Sequence, residues 1–238
     1  MGRIHRYYSA LSRYHKSNGY GIHSPFAFKF VLNVLRERLP YYNYEEIEAV
    51  RKQILAGMRR YAGHSRVMSK KNGKMLFRVV NYFNPGNLLQ IGTNYGMSSV
   101  CMMQVSSRSH LWLCEPHFDT FSITAKVLDP YMQRISLGNS AQELIAAYRN
   151  VLQPEEMPFM LINSIEDADY DSVLGYTIDI LQNRGVIVLR NLTRNDHVKR
   201  LFDEISRHYT YGMIFTNEKI AFIVSNPKLP RQLYALWF

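Results

Sequence analysis

A buried strand that runs into a glycine turn and then into a helix is the feature of this sequence that most constrains its fold. The apolar run Leu88–Ile91 is followed by Gly92 and Gly96, and Ser98 and Ser99 lie where the next helix begins. A backbone approaches a ligand closely only where side chains are small or absent, and the N-terminus of a helix carries N–H groups without partners. We therefore expect a cradle of the kind that binds nucleotide-type ligands.

From residue 87 onward, short apolar runs alternate with helical stretches, as in βαβ units built around a parallel sheet. We predict parallel strands at Leu88–Ile91, Leu111–Cys114, Arg134–Leu137, Phe159–Ile162 and Val186–Leu189. Two further strands, near Tyr211–Phe215 and Ile220–Val224, are separated by a segment too short for a crossover helix. The prediction is an α/β fold with a seven-stranded, mostly parallel sheet that closes with a C-terminal antiparallel hairpin.

The N-terminal part is rich in aromatic and basic residues and is predicted to be helical. Ser24 can cap the free N–H groups of a helix and Pro25 suits the first helical position, so a helix should run from Pro25 to about Leu39. A second helix should cover Tyr44–Tyr61. We divide the chain into a helical extension or lid at residues 1–62 and an α/β domain at residues 63–238.

The positive charge of the chain is concentrated towards its N-terminus. The net charge is +10, and residues 1–78 contain 16 Lys and Arg against 4 Asp and Glu. A basic face favours a polyanion or an acidic substrate, so a nucleic acid is one candidate partner.

Hydropathy and cysteine usage predict the compartment. No apolar run is long enough for a membrane helix, and residues 1–20 lack the apolar centre of a signal peptide. Cys101 and Cys114 lack the spacing of metal ligands and are expected to act as small buried hydrophobic residues. We expect a cytoplasmic protein without membrane insertion.

Polar residues follow the next two predicted strands as well. Glu115 comes 23 residues after Gly92, a spacing at which a carboxylate can accept both hydroxyls of a ribose. Asn139 and Ser140 follow the third strand, and Asn139 could pair with an adenine edge. The Gly-x-Gly-x-x-Gly pattern of dinucleotide sites is absent, because Asn94 stands where its second glycine would be. A ligand without a pyrophosphate suits this turn better.

These segments resemble the class I S-adenosylmethionine-dependent methyltransferases, with their Rossmann-like fold, from about Gly63 to the C-terminus. Leu88–Ser99 is similar to their first motif, Glu115 to the acid that binds the ribose, and Gly138–Ser140 to the segment beside the adenine. Phe159–Asn163 and Gly185–Asn191 resemble the fourth and fifth strand motifs of the catechol O-methyltransferase-like branch. Further segments, Gly21–Phe26, Leu76–Phe83 and Arg231–Tyr234, are similar to a bacterial methyltransferase-like group with degenerate motifs.

The resemblance implies S-adenosylmethionine as cofactor and a set of residues that bind it. That set is Gln90, Gly92, Thr93, Asn94, Gly96, Ser98, Glu115, Asn139, Ser140 and Asn163.

Several positions depart from the family pattern. Gln90 and Asn139 replace acids, which keeps hydrogen-bonding capacity but removes a charge. Where the catechol-type branch holds a divalent metal with Asp, Asp and Asn, this chain has Asn163, Arg190 and Asn191. Hard divalent cations need anionic oxygen ligands, and an arginine brings a fixed positive charge. We therefore predict no catalytic metal.

A metal-independent methyl transfer would rely on positioning, with a general base as an optional addition. Candidates for the base near the strand ends are His117, Glu166 and Asp169, and His23 could reach the site if the N-terminal helices form a lid. Two alternatives stay open, a non-catalytic binding protein with this fold and a nucleic-acid methyltransferase or binder that uses the basic N-terminal third. The methyl acceptor, small-molecule or acidic, is not identified by the sequence, and a homo-oligomer is a further expectation from exposed terminal aromatics.

Overall fold

A computed structural model of the protein describes residues 12–58, 67–93, 95–115 and 118–238. Its centre is an eight-stranded sheet with the strand order β3-β2-β1-β4-β5-β7-β6-β8. The strands are β1 Asn87–Ile91, β2 His110–Cys114, β3 Ile135–Gly138, β4 Phe159–Ile162, β5 Gly185–Arg190, β6 Met213–Thr216, β7 Ile220–Ser225 and β8 Gln232–Ala235.

The first five strands are parallel, and β7 pairs antiparallel with both β5 and β6. This confirms the predicted parallel sheet and the closing hairpin. The predicted total of seven strands is wrong, since β8 adds an eighth that pairs parallel with β6. Through these pairings the carboxyl ends of β6 and β8 lie at the same edge of the sheet as those of β1 to β5.

Helices cover both faces of the sheet, because strands buried on both sides alternate their side chains between two hydrophobic clusters. After a helical segment at residues 12–17, the α-helices are α1 Pro25–Phe30, α2 Asn43–Met58, α3 Lys70–Phe83, α4 Met97–Met103, α5 Phe118–Leu128, α6 Ala141–Val151, α7 Tyr170–Gln182 and α8 Asp196–His208. One cluster packs α1 to α4 on one face of the sheet, and the other packs α6, α7 and α8 on the opposite face.

The start of α1 is as predicted, but its end is not. Ser24 caps the helix by accepting the N–H of Ala27 at 3.3 Å, and Pro25 is its first residue. The helix continues as a π-helical turn over Val31–Leu35 and ends there, four residues before the predicted Leu39. The buried guanidinium of Arg78 donates hydrogen bonds to the carbonyl oxygens of residues 34 and 35, and the helix ends at this point.

The N-terminal helices share the core of the sheet. The ring of Phe30 lies 4.9 Å from that of Phe215 in β6, and Val31, Val34 and Ile54 are buried in the same cluster. The predicted second helix is present as α2, and residues 59–61 of that prediction lie outside the described part of the chain. The division at residue 62 stays a prediction.

Candidate functional site

The carboxyl ends of β1, β2 and β4 bring the candidate residues together at one edge of the sheet. Gly92 directly follows β1, Glu115 follows β2 and Asn163 follows β4. Main-chain hydrogen bonds continue past the strands, since the N–H of Gly92 donates to Cys114 and that of Asn163 donates to Ile91. The turn at Gly92 is therefore held by both neighbouring strand ends.

Gln90 links the end of β1 to the helix that follows it through hydrogen bonds. Its Nε2 donates to the Gly92 carbonyl oxygen at 2.8 Å and to Ser98 Oγ at 3.1 Å, and Ser99 Oγ donates to its Oε1 at 2.9 Å. Gln90, Ser98 and Ser99 are all fully buried. The carboxylate that the family pattern has at this position could not donate, so the amide suits this network better.

The turn between β1 and α4 passes through left-handed backbone. Gly92, Tyr95 and Gly96 have φ of 75°, 62° and 78°. A bulky aromatic residue rarely adopts this conformation. Tyr95 is stabilised there by burial in the hydrophobic cluster beside α4. Asn94, which the sequence suggested as the left-handed residue and a cofactor contact, lies outside the described residues.

Glu115 lies beside the glycine turn. Its Oε2 accepts the N–H of Thr93 at 3.2 Å, and the residue is 7% exposed. Thr93 Oγ1 lies 3.3 Å from the hydroxyl of Thr124 in α5. The turn therefore holds a buried carboxylate beside it, and a carboxylate is a group that accepts hydroxyl groups of a ligand.

Asn163 and Arg190 form a second buried polar cluster next to the first. Asn163 Nδ2 donates to the Gly92 carbonyl oxygen at 2.6 Å and to Ser98 Oγ at 2.9 Å. An Nη1 hydrogen of Arg190 is donated to Asn163 Oδ1. Asn191 adds a bond from its Nδ2 to the Asn163 carbonyl oxygen at 2.9 Å. Asn163 is therefore a junction between the ends of β1, β4 and β5.

Arg190 carries a positive charge into this cluster without a carboxylate to balance it among the described residues. It is 5% exposed, and its Nε has no hydrogen-bond partner in the described part of the chain. Burial lowers the pKa of its guanidinium to about 10. The positive charge of Arg190 opposes the binding of another cation between β4 and β5. Among the described residues, no group of three or more His, Cys, Asp or Glu could hold a metal ion. That the protein works without a metal stays a prediction.

Replacing Arg190 with methionine should stabilise the protein. Because the pKa of Arg190 is lower in the folded protein, its charged form destabilises the fold at every pH below about 10. This destabilisation decreases as the pH rises from the pKa in the folded protein to the higher pKa in the unfolded chain. The effect is on the order of 3 kcal/mol, and the lost hydrogen bond to Asn163 offsets about 1 to 2 kcal/mol of it. We expect a net gain of about 1 kcal/mol in unfolding free energy at pH 7.

Urea unfolding at pH 7 and pH 10.5 checks this, and the gain should be smaller at the higher pH. The control is Arg184→Met, an exposed arginine at the other edge of the sheet, which should change stability by less than about 0.5 kcal/mol. A marked loss of stability in Arg190→Met alone would show that the charge is balanced in the fold.

Two polar residues follow the third strand, and one of them is exposed while the other caps the next helix. Asn139 is exposed and available to a ligand. Ser140 caps α6, since its Oγ accepts the N–H of Glu143 at 3.4 Å. Of the two, Asn139 is the better candidate for a ligand contact.

The candidate bases are placed less favourably. Asp169 is 8% exposed, and its Oδ1 accepts the N–H of Ala141 at 2.9 Å, so it fixes the start of α6. Glu166 is half-buried beside it, and His23 is exposed at the start of α1. His117 lies outside the described residues. The sequence showed that these groups come near strand ends, but not that Asp169 serves a neighbouring helix.

Both cysteines are buried, as predicted, and burial raises the pKa of each thiol to about 12. Among the described helices, none combines the length and the hydropathy needed to cross a membrane.

Comparison with known proteins identifies the fold. No family model matches the chain, and no curated protein matches its sequence. Among solved structures, the chain is similar to an O-methyltransferase from Bacillus cereus in complex with S-adenosylhomocysteine, with a TM-score of 0.55, 17% identity, and coverage of 82% of this chain and 96% of that one.

Two further structures give the same result. A methyltransferase from Podospora anserina with bound S-adenosylhomocysteine matches with a TM-score of 0.56 and 12% identity over 79% of this chain and 98% of its own. A methyltransferase from Geobacter sulfurreducens matches with a TM-score of 0.56 and 15% identity over 80% of this chain and 92% of its own. The chain has the Rossmann-like fold of the class I S-adenosylmethionine-dependent methyltransferases.

Proposed function

We propose that this protein is an S-adenosylmethionine-dependent methyltransferase that works without a divalent metal. The observation that carries the proposal is the contact between Glu115 and Thr93, which puts a buried carboxylate beside the glycine turn at adjacent ends of parallel strands. Ligands of open parallel sheets bind at this edge. Structural neighbours from Bacillus cereus and Podospora anserina hold S-adenosylhomocysteine.

The described residues divide into those that would touch the cofactor and those that shape its site. Glu115 would accept the ribose hydroxyls, Asn139 would face the adenine, and the main chain of Gly92 and Gly96 would lie against the amino-acid part. Gln90, Ser98 and Asn163 are engaged with one another or with the turn and would act by holding it in place. The donors and acceptors present fit an uncharged ribose and adenine.

Metal independence rests on Arg190 and Asn163. The only side-chain oxygen of Asn163 accepts a hydrogen from Arg190, and the guanidinium repels a cation. Methyl transfer from a sulfonium is an in-line displacement, for which holding the two reactants in line supplies much of the acceleration. The chain would therefore favour an acceptor that is already nucleophilic or that loses its proton to a side chain.

Calorimetric titration with S-adenosylhomocysteine tests the cofactor site. We expect saturable binding to the wild type and about ten- to a hundredfold weaker binding to Glu115→Ala, because hydrogen bonds to an ionised carboxylate are lost. Glu143→Ala, an exposed acid in the first turn of α6, is the matched control and should bind normally. Since Glu115 also holds Thr93, thermal unfolding of each variant separates loss of binding from loss of folding.

Absence of binding to the wild type at millimolar S-adenosylhomocysteine would refute the cofactor assignment. For metal independence, addition of millimolar Mg²⁺ or of a chelator should leave the thermal midpoint unchanged, because a ligand that binds the folded state raises it by mass action. A rise that saturates with Mg²⁺ would contradict that part of the proposal.

The second candidate is a cofactor-binding protein without catalysis. It is favoured by Asp169, which is committed to the N–H of Ala141 and so is a poor general base. Mass spectrometry of the purified protein under native conditions discriminates the two. Product S-adenosylhomocysteine carried through purification would support turnover, and S-adenosylmethionine that stays unconverted with cell extract would support the binding protein.

A further inference from the structure

A basic cavity of about 660 Å³ lies apart from the glycine turn. It is bounded by the start of α3, by the chain that follows the π-helical turn, and by the C-terminal residues Trp237 and Phe238. Since β8 runs parallel to β6, the C-terminus comes to the same edge of the sheet as the ends of β1 and β4. The cavity therefore opens at the edge where parallel sheets bind their ligands.

The walls of this cavity are strongly cationic. Its basic residues are Arg36, Arg38, Lys70, Lys71, Lys74 and Arg78. One acid, Glu37, also lines it, but that carboxylate accepts the main-chain N–H groups of Arg38 at 2.6 Å and Leu39 at 2.8 Å. Within the described ranges, none of the six cations forms an ion pair with a carboxylate.

The six cations differ in how free they are. Arg78 is buried and donates to two carbonyl oxygens and to Tyr44, and Lys74 Nζ lies 4.4 Å from the centre of the Tyr44 ring. Lys70 and Lys71 are exposed, and within the described residues neither makes a hydrogen bond or lies over an aromatic ring, while Lys70 interacts electrostatically with Glu48. Arg36 is half-buried over the ring of Tyr14. Two lysines, supported by buried positive charge behind them, are thus available to a ligand.

The position of these lysines is unfavourable for the helix that carries them. Lys70 and Lys71 are the first two residues of α3, which has no acid in its first turn. The macrodipole of a helix favours carboxylates there and opposes cations. The two lysines at this position therefore destabilise the helix, and a bound anion would relieve that effect.

We infer that this cavity binds a small molecule that carries two or more phosphate groups. Its volume lies in the range of pockets that enclose a cofactor-sized molecule. Its six basic side chains outnumber its one acid, which favours a ligand with several negative charges. The exposed rings of Tyr14 and Trp237 at its rim suit a planar group on the same molecule. The site stands independently of methyl transfer.

Inorganic triphosphate is the probe for this site. Calorimetry should show one molecule bound per chain, with an affinity that falls as salt rises because the charges are partly exposed. The double variant Lys70→Glu/Lys71→Glu should bind about tenfold more weakly or worse, since two attractions become repulsions. Lys228→Glu carries the charge change at an exposed lysine between β7 and β8, at the opposite edge, and should bind like the wild type.

The double variant separates binding from folding. Carboxylates in the first turn of α3 suit its macrodipole, so thermal stability should be equal to the wild type or higher while binding falls. No saturable binding of triphosphate to the wild type would overturn the inference, as would equal loss in the variant and the control. A single-stranded oligonucleotide that binds more tightly than triphosphate, with an affinity that rises with its length, would also overturn the inference and would indicate a nucleic-acid binding surface. Titration of the same samples with S-adenosylhomocysteine reports on the methyltransferase site separately.

Discussion

Replacing Arg78 with alanine should lower the free energy of unfolding by about 3 kcal/mol, since a charged donor contributes about 1.5 to 3 kcal/mol per hydrogen bond and several are lost. The Arg78 side chain donates from Nε to the Val34 carbonyl oxygen at 2.6 Å, from Nη2 to that of Leu35 at 3.1 Å, and from Nη1 to Tyr44 Oη at 3.1 Å. Its removal leaves the end of the π-helical turn without these partners. Because Arg78 lines the neighbouring cavity, we expect water to replace these partners in part and to keep the loss below the sum of the three bonds.

Urea unfolding of three variants checks this prediction. Arg78→Lys should recover less than half of the loss, because one ammonium group cannot reproduce a planar fork that serves three acceptors. Arg149→Ala removes an exposed arginine whose contact is an ion pair with Asp179 at 3.2 Å, and it should cost less than about 1 kcal/mol. Equal effects of Arg78→Ala and Arg149→Ala would show that Arg78 does not fix the end of the turn.

Arg78 also explains why one boundary of the first helix was predictable and the other was not. The start depends on Ser24 and Pro25, which are adjacent in sequence and whose capping chemistry is local. The end at Leu35 depends on a guanidinium 43 residues further along the chain. The first helix-breaking residue in the sequence is Pro40, so local signals alone extended the predicted helix to about Leu39.

The sheet shows the same difference between strong and weak local signals. The inner strands are buried on both faces and appear in the sequence as continuous apolar runs, as for Val186–Leu189. The missed strand, β8, has only four residues and lies at the edge of the sheet, where Leu233 is 48% exposed. A short edge strand carries little burial pattern, and its pairing with β6 is decided by tertiary packing.

At the candidate site, the sequence predicted where the polar side chains lie but not which of them are hydrogen-bonded to the protein itself. Strand ends of a parallel sheet converge, so the approach of Glu115 and Asn163 to the glycine turn followed from sequence. Whether a polar side chain faces a ligand depends on which neighbours satisfy it. Gln90 forms hydrogen bonds with Ser98 and Ser99 across the turn, and Asp169 accepts one from the main chain of α6. Gln90, predicted as a cofactor contact, and Asp169, predicted as a base, therefore each have a structural partner, and their roles towards a ligand stay predictions.

The second large effect is expected at the glycine turn, where Gly92→Ala should lower the unfolding free energy by about 2 to 5 kcal/mol. This combines about 1 to 2 kcal/mol for an alanine in left-handed backbone with about 1 to 3 kcal/mol for overpacking. Gly92 has φ of 75°, and a Cβ built there would lie 2.3 Å from Ser164 Oγ and 3.1 Å from the Ser164 main-chain nitrogen. The side-chain clash is removable by mutation, whereas the backbone strain is not.

A double-mutant cycle with Ser164→Ala therefore separates the two contributions. The cost of Gly92→Ala should fall by about 1 kcal/mol in the Ser164→Ala background and should not disappear, because φ and the main-chain contact persist. Gly175→Ala is the matched control, since that glycine lies within α7 with no atom within 4 Å of its Cβ position, and alanine there should gain roughly 0.5 to 1 kcal/mol. A cycle in which Ser164→Ala abolishes the whole cost would show that the turn accepts a side chain at residue 92. That result would contradict the idea that residue 92 is a glycine because a ligand approaches the backbone there.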